Sequence, residues 1–274
     1  MTLKTRNTII RFFLFTSIII VALTLLTFIL CLHSGRIITP PSYRIPALLN
    51  SLPFAKNTFT AVMISFAIII LYVPLCFFIL IRFFENTQTS EIIFFTGFLI
   101  ACSAEIARFL TICLGLWLSF SNLLIIMGNL VLFGRTLAPL SFLCAALLSD
   151  TAQRQDIERN YLIMTVIAVV FAVVIPMNTG KIASTGLVTE GFITQINIMR
   201  FLLLLTAVFS FYIHGAKKNS LEHKHLASSS FILLIGYSLL VSCDSYFFLV
   251  LGTAGLAGGT YLYLTYLHRL YMWS

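Results

Sequence analysis

Acidic residues are scarce in this chain: Asp and Glu together number nine in 274 positions. So thin a supply provides no acidic cluster for a Mg²⁺-bound phosphate substrate and few ways to build a hydrolytic centre. The sequence also has no G-x-S-x-G nucleophile elbow, no H-E-x-x-H and no P-loop, and its six cysteines form no C-x-x-C pair. Segments of about 10 residues alternating in polarity, which would mark a membrane β-barrel, do not occur. The chain is therefore expected not to be an enzyme and to hold neither cofactor nor metal.

Charge of either sign is sparse, at 9%, whereas 59% of the residues are hydrophobic and the mean hydropathy is +1.02. The apolar residues come in blocks of about 20, the number that spans a bilayer core at about 1.5 Å per helical residue. Runs such as Ile18 to Leu32 and Tyr161 to Ile175 are apolar on every face. The expected fold class is all-α: a polytopic transmembrane helical bundle, one integral membrane domain over 1–274, with short loops and no soluble domain. Eight spans are expected, at about 8–32, 58–83, 91–117, 121–149, 160–177, 196–214, 227–248 and 252–271. Seven is the alternative, because the last 45 apolar residues could form one span and an interfacial helix, with Tyr261, Tyr263, Tyr266, Tyr271 and Trp273 in the headgroup zone. On the eight-span reading the glycine-rich run Leu251 to Gly259 makes the turn between the last two spans.

The first block follows Lys4 and Arg6 but is too long for a secretory signal and lacks a small-x-small cleavage pattern, so it reads as a retained anchor. Placing the N-terminus in the cytoplasm puts ten basic residues inside (Lys4, Arg6, Arg11, Arg82, Arg154, Arg159, Lys217, Lys218, Lys224 and Arg269) against four outside (Arg36, Arg44, Lys56 and Lys181). The positive-inside bias favours that orientation. It also accounts for the net charge of +8 through contact with lipid headgroups, so nucleic acid need not be a partner. The outer segments carry no N-x-[ST] acceptor, as suits a bacterial cytoplasmic (inner) membrane.

Two outer connections are long enough to describe. Residues 33–57 carry Pro40, Pro41, Pro46 and Pro53 among apolar residues, which prevents a regular helix and suggests a packed connector or a lid. Residues 178–195, with Gly180, Gly186 and Gly191, read as a turn-rich strand pair or a plain loop.

Four groups charged at neutral pH lie inside apolar runs: Glu105, Arg108, Arg135 and Asp244. Each costs at least about 2.5 to 3.5 kcal/mol at mid-depth on insertion scales, so such groups persist when paired or in use. At 100° per residue, Gly97, Ala101, Ala104, Glu105 and Arg108 share a stripe about 100° wide. On the next span Ser121, Gly128 and Arg135 recur every seven residues. Small residues and charges on facing stripes predict a close helix–helix seam, with Gly97, Ala101 and Gly128 in the packing and Glu105 paired to Arg135 across the hairpin. Arg108 then pairs with Glu105 at i+3 or with Asp244 on the seventh span, for which Arg200 competes.

The remaining polar residues carry plainer readings. Pro74 and Pro139 read as kinks, and Asn129 as a hydrogen-bonder to a neighbouring helix. His214, His223, His225 and His268 collect on the cytoplasmic side, but Lys217, Lys218 and Lys224 among them repel a cation. The six cysteines, Cys31, Cys76, Cys102, Cys113, Cys144 and Cys243, read as small buried hydrophobes. Two functions remain: a non-enzymatic sensor or subunit that docks a partner membrane protein or a second copy, its charges fixing the bundle, or a small-solute or ion transporter using those charges as its centre.

Overall fold

The computed structural model describes residues 3–35, 37, 58–85, 87, 89–118, 122–148, 157–183, 186 and 188–272. The prolines of the 33–57 connection, Ser121 of the seven-residue stripe, Arg154 and Trp273 lie outside these residues.

Within them the helices are α1 (Leu3–His33), α2 (Phe59–Phe84), α3 (Ser90–Ala104), α4 (Ile106–Cys113), α5 (Asn122–Leu147), α6 (Ile157–Val174), α7 (Ile193–Lys217), α8 (Leu221–Val241) and α9 (Tyr246–Met272). Two short strands, β1 (Met177–Ile182) and β2 (Val188–Glu190), pair antiparallel between α6 and α7. Of the two readings of that segment, the structure has the strand pair. Taking α3 and α4 together, eight helical segments are long and apolar enough to cross a membrane. The protein is a multi-pass helical bundle. Helix is the form such segments take, because a backbone in hydrocarbon must satisfy its own N–H and C=O groups.

The bundle is built around α3 and α4, where 78% of the apolar window is buried, against 11% for α1 at the periphery. Arg6 ties the start of α1 to the end of α2, donating from Nη2 to the Phe84 carbonyl at 2.7 Å and from Nη1 to the Thr87 carbonyl. At the opposite end the Thr58 N–H donates to the Asp244 carbonyl at 2.9 Å, tying the start of α2 to the turn before α9.

Three details depart from the sequence reading. The last two spans meet at Ser242–Ser245, not at the glycine run. Gly252, Gly255 and Gly259 lie within α9 and face α8, where added Cβ atoms would come within 2.8 Å of Leu240 N, 2.9 Å of Gly236 Cα and 2.5 Å of Leu233 N. The glycines permit a close approach of α8 and α9 instead of a turn. As a result α9 spans the full width, Tyr263 is in the core and Tyr271 donates to Glu91 Oε1 at 2.7 Å.

The third span is interrupted at Glu105. There Glu105 N–H donates to the Cys102 carbonyl at 3.2 Å and Arg108 N–H to the Glu105 carbonyl at 3.1 Å, both three residues apart. Such tightening to three-residue spacing separates α3 from α4.

The seam between α3 and α5 runs through Ala101 and Gly134. A Cβ on Gly134 would sit 2.6 Å from the Ala101 carbonyl oxygen and 2.7 Å from Ala104 Cβ. Gly128 faces Met177 and Val188 of the strand pair instead, and Gly97 faces Met164, Tyr161 and Ser141. The seven-residue stripe was therefore the wrong guide to the glycine. A long arginine can reach round a helix, whereas a glycine that seats a backbone must lie on the contact line itself.

Candidate functional site

Glu105 sits where α3 gives way to α4, with its carboxylate in the bundle interior. Its Oε2 accepts from Arg108 Nη1 at 2.9 Å and its Oε1 from Arg135 Nε at 3.1 Å. The side chains of Arg108 and Glu105 are 0% and 1% exposed, and the Arg108 guanidinium lies 4.7 Å from the centre of the Phe66 ring. Arg135 also donates from Nη2 to the Val241 carbonyl at 3.3 Å. That carbonyl ends α8, where unsatisfied C=O groups carry partial negative charge that a cation stabilises. Arg135 thus joins α3, α5 and α8 through one side chain.

Asp244 is elsewhere. The apolar run around it predicts a place on the seventh span, as a partner for Arg108 or Arg200, but α8 ends at Val241 and Asp244 lies in the turn to α9. Its Oδ1 has no hydrogen-bond partner among the described residues, and burial pushes its carboxyl pKa up. Arg200 is taken by Glu190 on β2, Nη2 to Oε1 at 2.8 Å. Glu190 therefore takes the place expected of Asp244 as the carboxylate paired with Arg200. Its signal was faint: it is the one acid in 178–195, and it stands ten residues before Arg200.

Arg135 of the first ion-paired group and both members of the Arg200–Glu190 pair line a cavity of about 470 Å³ bounded by α5, α7, α8 and the strand pair. That size falls within the usual range for small-molecule sites. Arg135, Glu190, Arg200 and Tyr237 supply its polar wall, and Phe201, Leu204 and Leu234 much of its apolar wall. Arg135 is 15% exposed through this opening, in contrast to the sealed Arg108. Arg135 interacts electrostatically with Glu190 and Arg200, so the two ion pairs form one network, with Tyr237 beside them.

Aromatic rings fill the bundle beyond Tyr237. Its ring lies edge-on to Phe98 at 5.4 Å, Phe98 to Phe142 at 5.3 Å and Phe142 to Tyr263 at 5.3 Å, with Phe95 stacked on Tyr263 at 5.6 Å. Edge-to-face pairs at such distances pack well.

The strand pair is held in place at its tip and at its exit. A Cβ on Gly186, at φ +71°, would meet Ile112 of α4 at 2.6 Å, and the Gly191 N–H donates to the Pro176 carbonyl at 2.8 Å. Phe192 follows in the left-handed region at φ +56° and begins α7. A bulky residue there is an uncommon and costly conformation, found where surrounding contacts impose it.

The other candidates have separate settings. Asn129 Oδ1 is buried without a hydrogen-bond partner among the described residues, so the expected bond to a neighbouring helix is not made by that atom. His225 stacks on Tyr266 at 4.7 Å, His223 Nδ1 lies 3.0 Å from Ser220 Oγ and His214 Nδ1 3.1 Å from the Ser210 carbonyl. All six cysteines are free thiols, and Cys31 Sγ lies 3.2 Å from the Cys113 carbonyl.

Comparison with protein-family models, with curated proteins and with solved structures finds no match.

Proposed function

We propose that this protein is a non-enzymatic membrane module, a sensor or binding subunit that holds a small solute in the cavity and acts through a partner chain or a second copy. The observation that carries this reading is the aromatic packing beneath the cavity: Tyr237, Phe98, Phe142, Tyr263 and Phe95 occupy the interior where a conduction path would continue. A pocket so floored suits occupancy better than passage. Arg135 supports it further, because a solute meeting that side chain also meets the group that fixes α3, α5 and α8. Transport is the second reading, supported by that same shared arginine, and it requires the aromatic floor to move aside. The positive-inside bias supports a cytoplasmic N-terminus in a bacterial inner membrane, with the cavity nearer the outer end.

The test is flux against capture. Proteoliposomes given gradients of Na⁺, K⁺, Cl⁻ or acetate are expected to leak no faster than protein-free vesicles, while purification in mild detergent retains a second chain in fixed stoichiometry. Flux above background that R135Q abolishes would move the assignment to a transporter.

A further inference from the structure

Polar atoms without partners occur on residues that line the cavity, and they bear on what it could bind. Among the described residues, Tyr237 Oη and Arg200 Nε make no hydrogen bond, and neither does Glu190 Oε2. Tyr237 is 4% exposed and lines the cavity. Native structures leave few buried polar atoms without partners, and those that remain call for an explanation. Here the three belong to residues that line one cavity, and they comprise two donors and one acceptor.

Charge gives the sign. Among the described residues, one connected network holds three guanidiniums, Arg108, Arg135 and Arg200, against two carboxylates, Glu105 and Glu190. Glu105 is divided between two arginines and Glu190 is bonded to the third, so these five groups together carry one excess positive charge. In a low-dielectric interior that excess attracts a single negative charge strongly. The two free donors suit oxyanion oxygens, and the free carboxylate oxygen suits an O–H beside them.

The apolar wall gives the rest of the molecule. Leu204 and Leu234 are buried behind it, while Ile193 and Phe201 of α7 both line the cavity and are exposed on the outer flank of the bundle. An apolar body can therefore lie along α7 and run out towards lipid.

We infer that the cavity between α5, α7, α8 and the strand pair binds an amphipathic monoanion: a carboxylate or phosphate with a neighbouring hydroxyl, attached to an aliphatic body. This rests on the reading of the cavity as a binding site. The same chemistry has two sources, a soluble hydroxy acid or a lipid headgroup such as phosphatidylglycerol, and the test separates them. The protein in phosphatidylcholine nanodiscs is titrated with 3-hydroxydecanoate, decanoate, 1,2-decanediol and decyltrimethylammonium, following thermal midpoint and binding heat. A second set of discs carries added phosphatidylglycerol, and bound lipid is counted by native mass spectrometry.

Saturable binding of 3-hydroxydecanoate in preference to the diol and the cation supports a soluble ligand. Retention of phosphatidylglycerol without that response supports a lipid. In either case Y237F is expected to weaken binding about tenfold, as loss of one hydrogen bond to a charged acceptor does, with the ligand-free thermal midpoint unchanged. E190Q is expected to reduce the preference for the hydroxyl-bearing acid over decanoate. Equal binding of the neutral or cationic amphiphile, binding unaffected by Y237F, or no response to any anion would each overturn the inference. The flux and capture experiment reads independently: anion binding with flux keeps the site and discards the sensor, whereas partner capture without anion binding does the reverse.

Discussion

Glu105→Ala is expected to lose about 3–5 kcal/mol of stability, the usual cost of removing one partner from a buried ion pair. That is a large part of the margin of a typical domain, so little folded protein should survive extraction in mild detergent. The cost is high because Glu105 serves two guanidiniums, one fully buried and one that also caps α8. Replacing all three groups with apolar residues of similar size, Glu105→Leu with Arg108→Met and Arg135→Met, is expected to recover most of the loss, since a well-packed apolar set can match a buried ion pair. Thermal midpoints in detergent decide the matter: a single variant as stable as the parent, or a triple variant no better than the single, would remove the structural role assigned to Glu105.

The second large effect lies between α8 and α9. Gly236→Val should separate these helices, because even the first added carbon would sit 2.3 Å from Leu256 N and 2.4 Å from Gly255 C, backbone atoms that have no flexible way to yield. A cost of about 3 kcal/mol or more is expected, at the upper end for overpacking. Gly258→Ala provides the contrast in the same helix. Nothing lies within 4 Å of a Cβ at that position, and alanine is intrinsically better in a helix by about 0.8–1.0 kcal/mol. Its thermal midpoint should equal or exceed that of the parent. If the two variants behave alike, close packing at Gly236 is not what holds α8 to α9.

Much of the fold could be read from the sequence because a bilayer imposes a length on every span and apolar blocks report that length directly. The pairing of Glu105 with Arg135, 3.1 Å apart in the structure, is expected from the same regularity, two helices of known pitch counted back from one turn. The sequence misleads where local composition has two meanings. Gly252, Gly255 and Gly259 suit a turn or a tight helix contact equally well, and only the position of α8 distinguishes them. Asp244 misleads and Glu190 goes unnoticed for a related reason: an acid within an apolar run looks buried, and one in a glycine-rich segment looks wet, until β2 folds inward to meet Arg200. Tyr237 carried no signal in the sequence, being one of ten tyrosines, and acquires meaning only from the cavity it lines.

The three-way sharing of Glu105 also bears on how the chain enters the membrane as it is made. The α3–α4 span carries its own neutral pair, Glu105 with Arg108 three residues on, and can leave the translocon without outside help. The α5 span brings Arg135 with no acid of its own and faces about 2.5–3.5 kcal/mol for a cation at mid-depth. The carboxylate that offsets this cost is already in place on the preceding span. The two should therefore insert as a pair, with α5 waiting on α3–α4. Glycosylation mapping of nascent chains should then show α5 integrating efficiently behind the native third span and poorly behind one carrying Glu105→Ala.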